Sequence, residues 1–148
     1  MVLETGAPAP KVRALNQDGE EVSSAFDEVA VVYFYPRDGT PGCTLEAREF
    51  EADIESFRRA GVTVYGVSTD DVDSHREFAD EEELSFDLLA DPDGAVADAF
   101  GVEVRDDFVD RVTFVLADGE VQAVLDADNM RPEGHAADVL EAVRQVEE

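Results

Sequence analysis

The order of apolar segments predicts a three-layer α/β/α domain, and three observations carry that expectation. Residues 30–35, AVVYFY, form an unbroken apolar run, as in a strand covered on both faces by helices. Ala47, Phe50, Ile54 and Phe57 then recur at three- and four-residue steps, the spacing of one buried helical face. Further on, Asp118-Gly119 separates two apolar stretches by the two residues a tight hairpin turn favours. The 148 residues suit one hydrophobic core, so a single domain over 1–148 is expected.

The first element is a small hairpin, residues 11–14 and 20–22 around Asn16-Gln17-Asp18-Gly19. The buried strand at 30–35 closes at Pro36, and a loop over 37–42 leads into a helix predicted from Cys43 to Ala60. Arg58 and Arg59 favour the C-terminal end of its dipole, and Gly61 stops it. A strand at 62–67 completes a strand–helix–strand unit, expected to be right-handed. The next helix, 71–83, sets Val72, His75, Phe78 and Ala79 on one face, and a short strand at 86–90 precedes the turn Asp91-Pro92-Asp93-Gly94. A short helix over 95–100, a hairpin of 111–117 with 120–125, and a last helix opened by Pro132 complete the chain. Ala136, Val139, Leu140, Val143 and Val146 make the apolar face of that helix.

Charge is the strongest compositional signal: 37 acidic residues against 11 basic ones, net −26, with Lys11 the single lysine. The acids are spread along the whole chain and coexist with regular apolar periods. A solvated, carboxylate-rich surface adapted to high salt therefore fits better than disorder or an acidic mimic of nucleic acid. No basic stripe is available for phosphates, so nucleic acid is not an expected partner. No apolar run approaches the ~20 residues of a membrane helix, and residues 1–10 lack a secretory pattern, so neither a membrane partner nor export is expected and the default location is cytoplasmic.

The single cysteine, Cys43, excludes an intramolecular disulfide, a CxxC pair and a cysteine-based zinc site, and the two histidines, His75 and His135, are too few and too far apart to suggest a metal centre. No metal and no cofactor are expected. Cys43 falls at the start of a helix that follows a buried strand, where open α/β sheets place ligands. Unpaired amides and the helix dipole stabilise a thiolate there, and the thiolate is the nucleophile. Thr40, three residues earlier, can bring a hydroxyl beside the sulfur. Gly42 lets a ligand approach the backbone. A cation has to come from elsewhere in the chain, and Arg111 at the head of a strand is the candidate, although pairing with surface acids would also account for it. His75, on the apolar face of its helix, reads as a satisfied packing residue. Phe50 and Phe57 read as core.

Pro36-x-x-x-Thr40-x-x-Cys43 resembles the peroxiredoxin signature. The longer run Thr40-Pro41-Gly42-Cys43-Thr44 with Glu46-Ala47 is similar to the bacterioferritin-comigratory-protein (Q-type) branch. Gly66-Val67-Ser68-x-Asp70, Ser74-His75-x-x-Phe78, Phe86-x-Leu88-Leu89-x-Asp91, Phe100-Gly101-Val102, Arg111-x-Thr113-Phe114 and Gly134-His135-Ala136 extend the likeness over nearly the whole chain. The resemblance implies a thioredoxin-like fold and a thiol-dependent peroxidase acting on hydrogen peroxide or organic hydroperoxides. It also implies site roles: Cys43 as the peroxidatic residue, Pro36 shielding the pocket, Thr40 contacting the peroxide, Arg111 supplying charge and Glu46 holding that arginine. Relatives often carry a resolving cysteine five residues after the first; here that position is Arg48. A one-cysteine cycle is therefore expected, completed by an external thiol reductant, either a thioredoxin-like protein or a small thiol, in a monomer or weak homodimer. The missing second thiol also keeps open a non-turnover redox sensor or binding module on the same fold.

Overall fold

The computed structural model describes residues 2–105, 108–126 and 135–147. Its centre is a seven-stranded sheet. The strands of that sheet are β1 (Val12–Leu15), β2 (Glu21–Ser24), β3 (Ala30–Phe34), β4 (Thr63–Ser68), β5 (Asp87–Ala90), β8 (Val112–Ala117) and β9 (Glu120–Asp126). They lie side by side in the order β2-β1-β5-β4-β3-β8-β9. A separate two-stranded ribbon, β6 (Val104–Arg105) with β7 (Phe108–Val109), stands apart from the sheet. The helices are α1 (Pro41–Ala52), α2 (Ile54–Arg59), α3 (Val72–Glu82), α4 (Ala95–Phe100) and α5 (His135–Glu147).

Strand β3 sits in the middle, parallel to β4 and antiparallel to β8. Its alternation divides the interior in two. Val31 and Tyr33 point into a core shared with Phe50, Phe57, Phe78 and Val139, from α1, α2, α3 and α5. Ala30, Val32 and Phe34 point into a second core with Val96 and Phe100 of α4 and Phe114 of β8. Every residue of β3 is buried, which is why its sequence shows no polar alternation. This is the expected three-layer arrangement.

The helix predicted over 43–60 is two helices, and it starts earlier, at Pro41. Proline is well placed at a first helical position, because its missing N–H had no intrahelical partner to lose. At Asp53 the backbone N–H is shared between the carbonyls of Glu49 and Phe50, both at 3.2 Å, which tightens the turn and separates α1 from α2. The apolar stripe survives the break, with Phe50, Ile54 and Phe57 in one core. Gly61 stops α2 as expected: its φ is +77°, Gly61 N–H reaches Arg58 O at 3.0 Å and Val62 N–H reaches Phe57 O at 2.9 Å. Asp118 and Gly119, with φ of +54° and +72°, form the two-residue turn between β8 and β9. Strand boundaries elsewhere differ from the sequence reading by at most two residues. The β6–β7 ribbon, two residues a side, was not foreseen. The Pro132 opening of the last helix and the Val146 side chain lie outside the described residues.

Among the described residues Glu46 and Asp91 are the acidic residues buried as a whole, and the Asp38 carboxylate is also nearly covered. Asp91 is accounted for locally, since its two oxygens accept the N–H groups of Val96 and Ala97 at 2.9 Å and start α4. Glu46 has a different partner, described next.

Candidate active site

The antiparallel pairing of β3 with β8 builds the site. Phe34, the last residue of β3, faces Val112, the first of β8. Arg111, one residue before Val112, therefore lies beside the loop that leaves β3 and enters α1. That loop delivers Cys43 as the third residue of α1, after the N-cap Thr40 and Pro41. The first intrahelical bond runs from Thr44 N–H to Thr40 O at 2.8 Å.

The Arg111 guanidinium spans the two groups that need it. Nη2 donates to Cys43 Sγ at 3.2 Å, and Nη1 donates to Glu46 Oε1 at 2.5 Å. Cys43 is 1% exposed and Glu46 fully buried, while the Arg111 side chain retains 15% exposure. Cys43, Glu46, Ala47 and Phe50 share the buried side of α1, so the helical period itself aims Glu46 inward.

Burial governs the charges here. Desolvation pushes the Glu46 carboxyl up to about 7 and outweighs the opposing pull of the Arg111 charge. Arg111 is more exposed. Its own desolvation works against the cation, but Glu46 and the Cys43 sulfur more than compensate and hold it charged. A folded-state value above the free one means that the folded protein binds the Glu46 proton more tightly than the unfolded chain does. That contribution to stability is complete below pH ~4.5 and is lost as pH rises through about 7. Glu46→Gln should remove this slope. Between pH 5 and 8 the wild type is expected to lose on the order of 3 kcal/mol relative to the variant. Urea unfolding at the two pH values measures the change, and parallel pH profiles would refute it.

The other expected site residues are in the same loop. The Thr40 hydroxyl donates to the Arg37 carbonyl oxygen at 3.2 Å, which folds the loop into a turn, and Pro36 is half-buried where β3 ends. The structure thus brings Cys43, Glu46 and Arg111 into direct contact and sets Thr40 and Pro36 in the adjoining turn. A groove of about 680 Å³ runs alongside, lined by Arg37, Asp70, Pro92, Gly94, Asp98 and Val104. The sulfur itself lies beneath the surface.

Sequence reasoning missed Asp38, the best-anchored residue of this loop. Its carboxylate accepts from Tyr35 Oη at 2.5 Å and Ser74 Oγ at 2.9 Å, and lies 2.6 Å from His75 Nδ1. Its own N–H donates to Asp70 Oδ2 at 2.8 Å. His75 is fully buried with both ring nitrogens engaged, Nε2 lying 3.0 Å from Leu89 O. The expectation of a satisfied histidine holds, but its partner is the site loop. A polar residue on an otherwise apolar helix face was the signal available in the sequence.

A thioredoxin-like three-layer fold, with a helix-start cysteine under an arginine that a buried glutamate braces, defines the peroxiredoxin class of thiol peroxidase. The chain belongs to the AhpC/TSA family, whose model matches residues 5–124. Its likeness is to the Bcp/peroxiredoxin Q branch. It is 38% identical to peroxiredoxin Bcp of Escherichia coli strain K12 over 134 residues, covering 84% of this chain and 86% of that one. Among solved structures, peroxidoxin BcpB of Mycobacterium tuberculosis superposes with a TM-score of 0.89 at 30% identity, over 97% of this chain and 98% of the other. The Xanthomonas campestris bacterioferritin comigratory protein, whose structure was solved to examine alkyl peroxide reduction, gives 0.84 at 30% identity, over 93% and 92%. Among the described residues no helix is long and apolar enough to cross a membrane.

Proposed function

We propose that the enzyme runs a one-cysteine peroxidase cycle on hydrogen peroxide or organic hydroperoxides, with a thiol reductant supplied from outside the chain. The observation that carries this reading is the 3.2 Å contact from Arg111 Nη2 to the sulfur of the only cysteine. The guanidinium favours the thiolate and offers positive charge where the peroxide must be held. The thiolate attacks the terminal peroxide oxygen. An S–O bond forms as the O–O bond breaks, the sulfur is oxidised by two electrons, and the leaving oxygen takes a proton to become water or an alcohol. Cys43 is left as a sulfenic acid. Arg111 stabilises the charge that develops on the leaving oxygen, Glu46 holds Arg111 in place, Thr40 meets the peroxide at the pocket mouth and Pro36 shields it.

With no second cysteine in the chain, an external thiol must attack the sulfenic sulfur, releasing water and forming a mixed disulfide. A second thiol then displaces Cys43 as thiolate. A thioredoxin-like protein supplies both thiols in one molecule; a small thiol supplies them in two encounters. The cycle requires neither cofactor nor partner subunit, which suits a monomer or weak homodimer in a reducing cytoplasm.

Mass spectrometry with a sulfenic-acid trap tests the first half-reaction. After one equivalent of peroxide, the adduct is expected on the peptide carrying Cys43, and unmodified Cys43 would overturn the reading. Peroxide consumption with a supplied dithiol tests the second half. Many equivalents consumed per chain support turnover. A single equivalent favours the sensor reading, which the missing resolving cysteine keeps in play.

A further inference from the structure

We propose that His75 is a positioning residue for the peroxidase reaction: through Asp38 it latches the loop that carries the site, and so sets the balance between the peroxide step and the reduction step. This inference rests on the peroxidase reading above.

Asp38 ties that loop to three separate elements. Tyr35 at the end of β3, Asp70 in the β4–α3 turn, and Ser74 and His75 on α3 all contact it. The Asp38 side chain is 5% exposed and His75 is fully buried, so water cannot replace these bonds without the loop lifting. The proton count makes the latch a unit. The Leu89 carbonyl oxygen can only accept, so His75 Nε2 carries a hydrogen. The other nitrogen faces a carboxylate oxygen at 2.6 Å, and a hydrogen must lie between them. The histidine thus bridges the backbone of β5 to the loop, and it makes both bonds only while the loop is seated.

The loop ends in Thr40, the N-cap of the helix that holds Cys43 five residues beyond Asp38. A seated loop fixes the sulfur against Arg111, which the peroxide step needs. The same seating keeps the sulfur 1% exposed. A small peroxide can diffuse to it, but the active thiol of a folded protein cannot make contact unless the loop moves. The latch should therefore favour oxidation and oppose reduction by a protein dithiol.

The test is single-turnover stopped-flow on His75→Leu, which removes both bonds at similar bulk. Oxidation by hydrogen peroxide should slow on the order of tenfold, since small misplacements of reacting groups cost rate steeply. Reduction of the sulfenic acid by thioredoxin should quicken by roughly threefold, while reduction by dithiothreitol, which needs less opening, should change less. His75→Asn, which can still donate to Asp38, should recover part of the oxidation rate. If His75→Leu does not fold, Ser74→Ala removes one donor to Asp38 and should show the same opposite shifts at smaller size. Both steps slowing by one factor would indicate general structural damage and overturn the latch, as would an unchanged oxidation rate. A wild type that forms no Cys43 sulfenic acid would sink the peroxidase reading itself. Normal wild-type turnover without the split would sink only the latch.

Discussion

Cys43→Ser is expected to bring peroxide consumption down to the buffer rate, with the fold retained. A serine hydroxyl ionises far above neutrality, and among the described residues the side chain that contacts this position is the Arg111 guanidinium, which cannot act as a general base. The Arg111 guanidinium, which favours a thiolate, does not produce an alkoxide at neutral pH. The fold should tolerate the change because the buried hydroxyl has a donor ready: Arg111 Nη2 lies where it now meets the sulfur. Its stability cost should be about 1 kcal/mol. A dithiol-coupled peroxide assay beside a thermal melt separates the two effects. Retention of even a tenth of the wild-type rate would mean that the chemistry lies elsewhere in the chain.

Different parts of this molecule were legible in the sequence for different reasons. The unbroken apolar run of β3, the glycine that ends α2 and the Asp118-Gly119 turn are local signals, and each came out as expected because near neighbours alone determine the backbone there. The break at Asp53 was hidden because the apolar stripe runs through it undisturbed. The β6–β7 ribbon is too short to show a period. The site divides the same way. Cys43 and Thr40 lie within one turn, but Arg111 is 68 residues from Cys43 and 65 from Glu46. No spacing rule joins positions so far apart. Arg111 was a candidate as a cation heading a strand, the family resemblance implied its role, and the antiparallel register of β3 with β8 explains why it arrives there. His75 lies 37 residues from Asp38, and a sequence shows the histidine without showing what it holds. Glu46 was visible as an acid near a helix start. Its complete burial followed from sharing the face of Cys43 and Phe50, and that burial gives it consequences an exposed acid would lack.

Those consequences shape what Arg111→Ala should do. The peroxide step should slow by roughly 10²–10³-fold, the loss typical when one donor to a developing oxyanion is removed. Reduction of an already formed sulfenic acid should change far less, because the arginine serves the charge that appears as the O–O bond breaks. Little effect on folding is what a surface arginine would give, and here it should hold only at low pH. Arg111 is the cation that restrains the upward push on Glu46, so its loss drives the carboxyl further above its present value of about 7. Below that value Glu46 is neutral in both proteins, and they should differ little in stability. Above it the wild type has an ionised, paired Glu46, whereas the variant must keep a proton on a buried carboxyl or bury an unpaired charge. The variant should fall behind by up to about 2 kcal/mol as pH rises from 6 to 8.5. Urea unfolding at both pH values, beside stopped-flow oxidation, measures the two effects independently. An oxidation rate within threefold of wild type would remove Arg111 from the chemistry, and a stability gap that stays constant with pH would show that Glu46 does not depend on it.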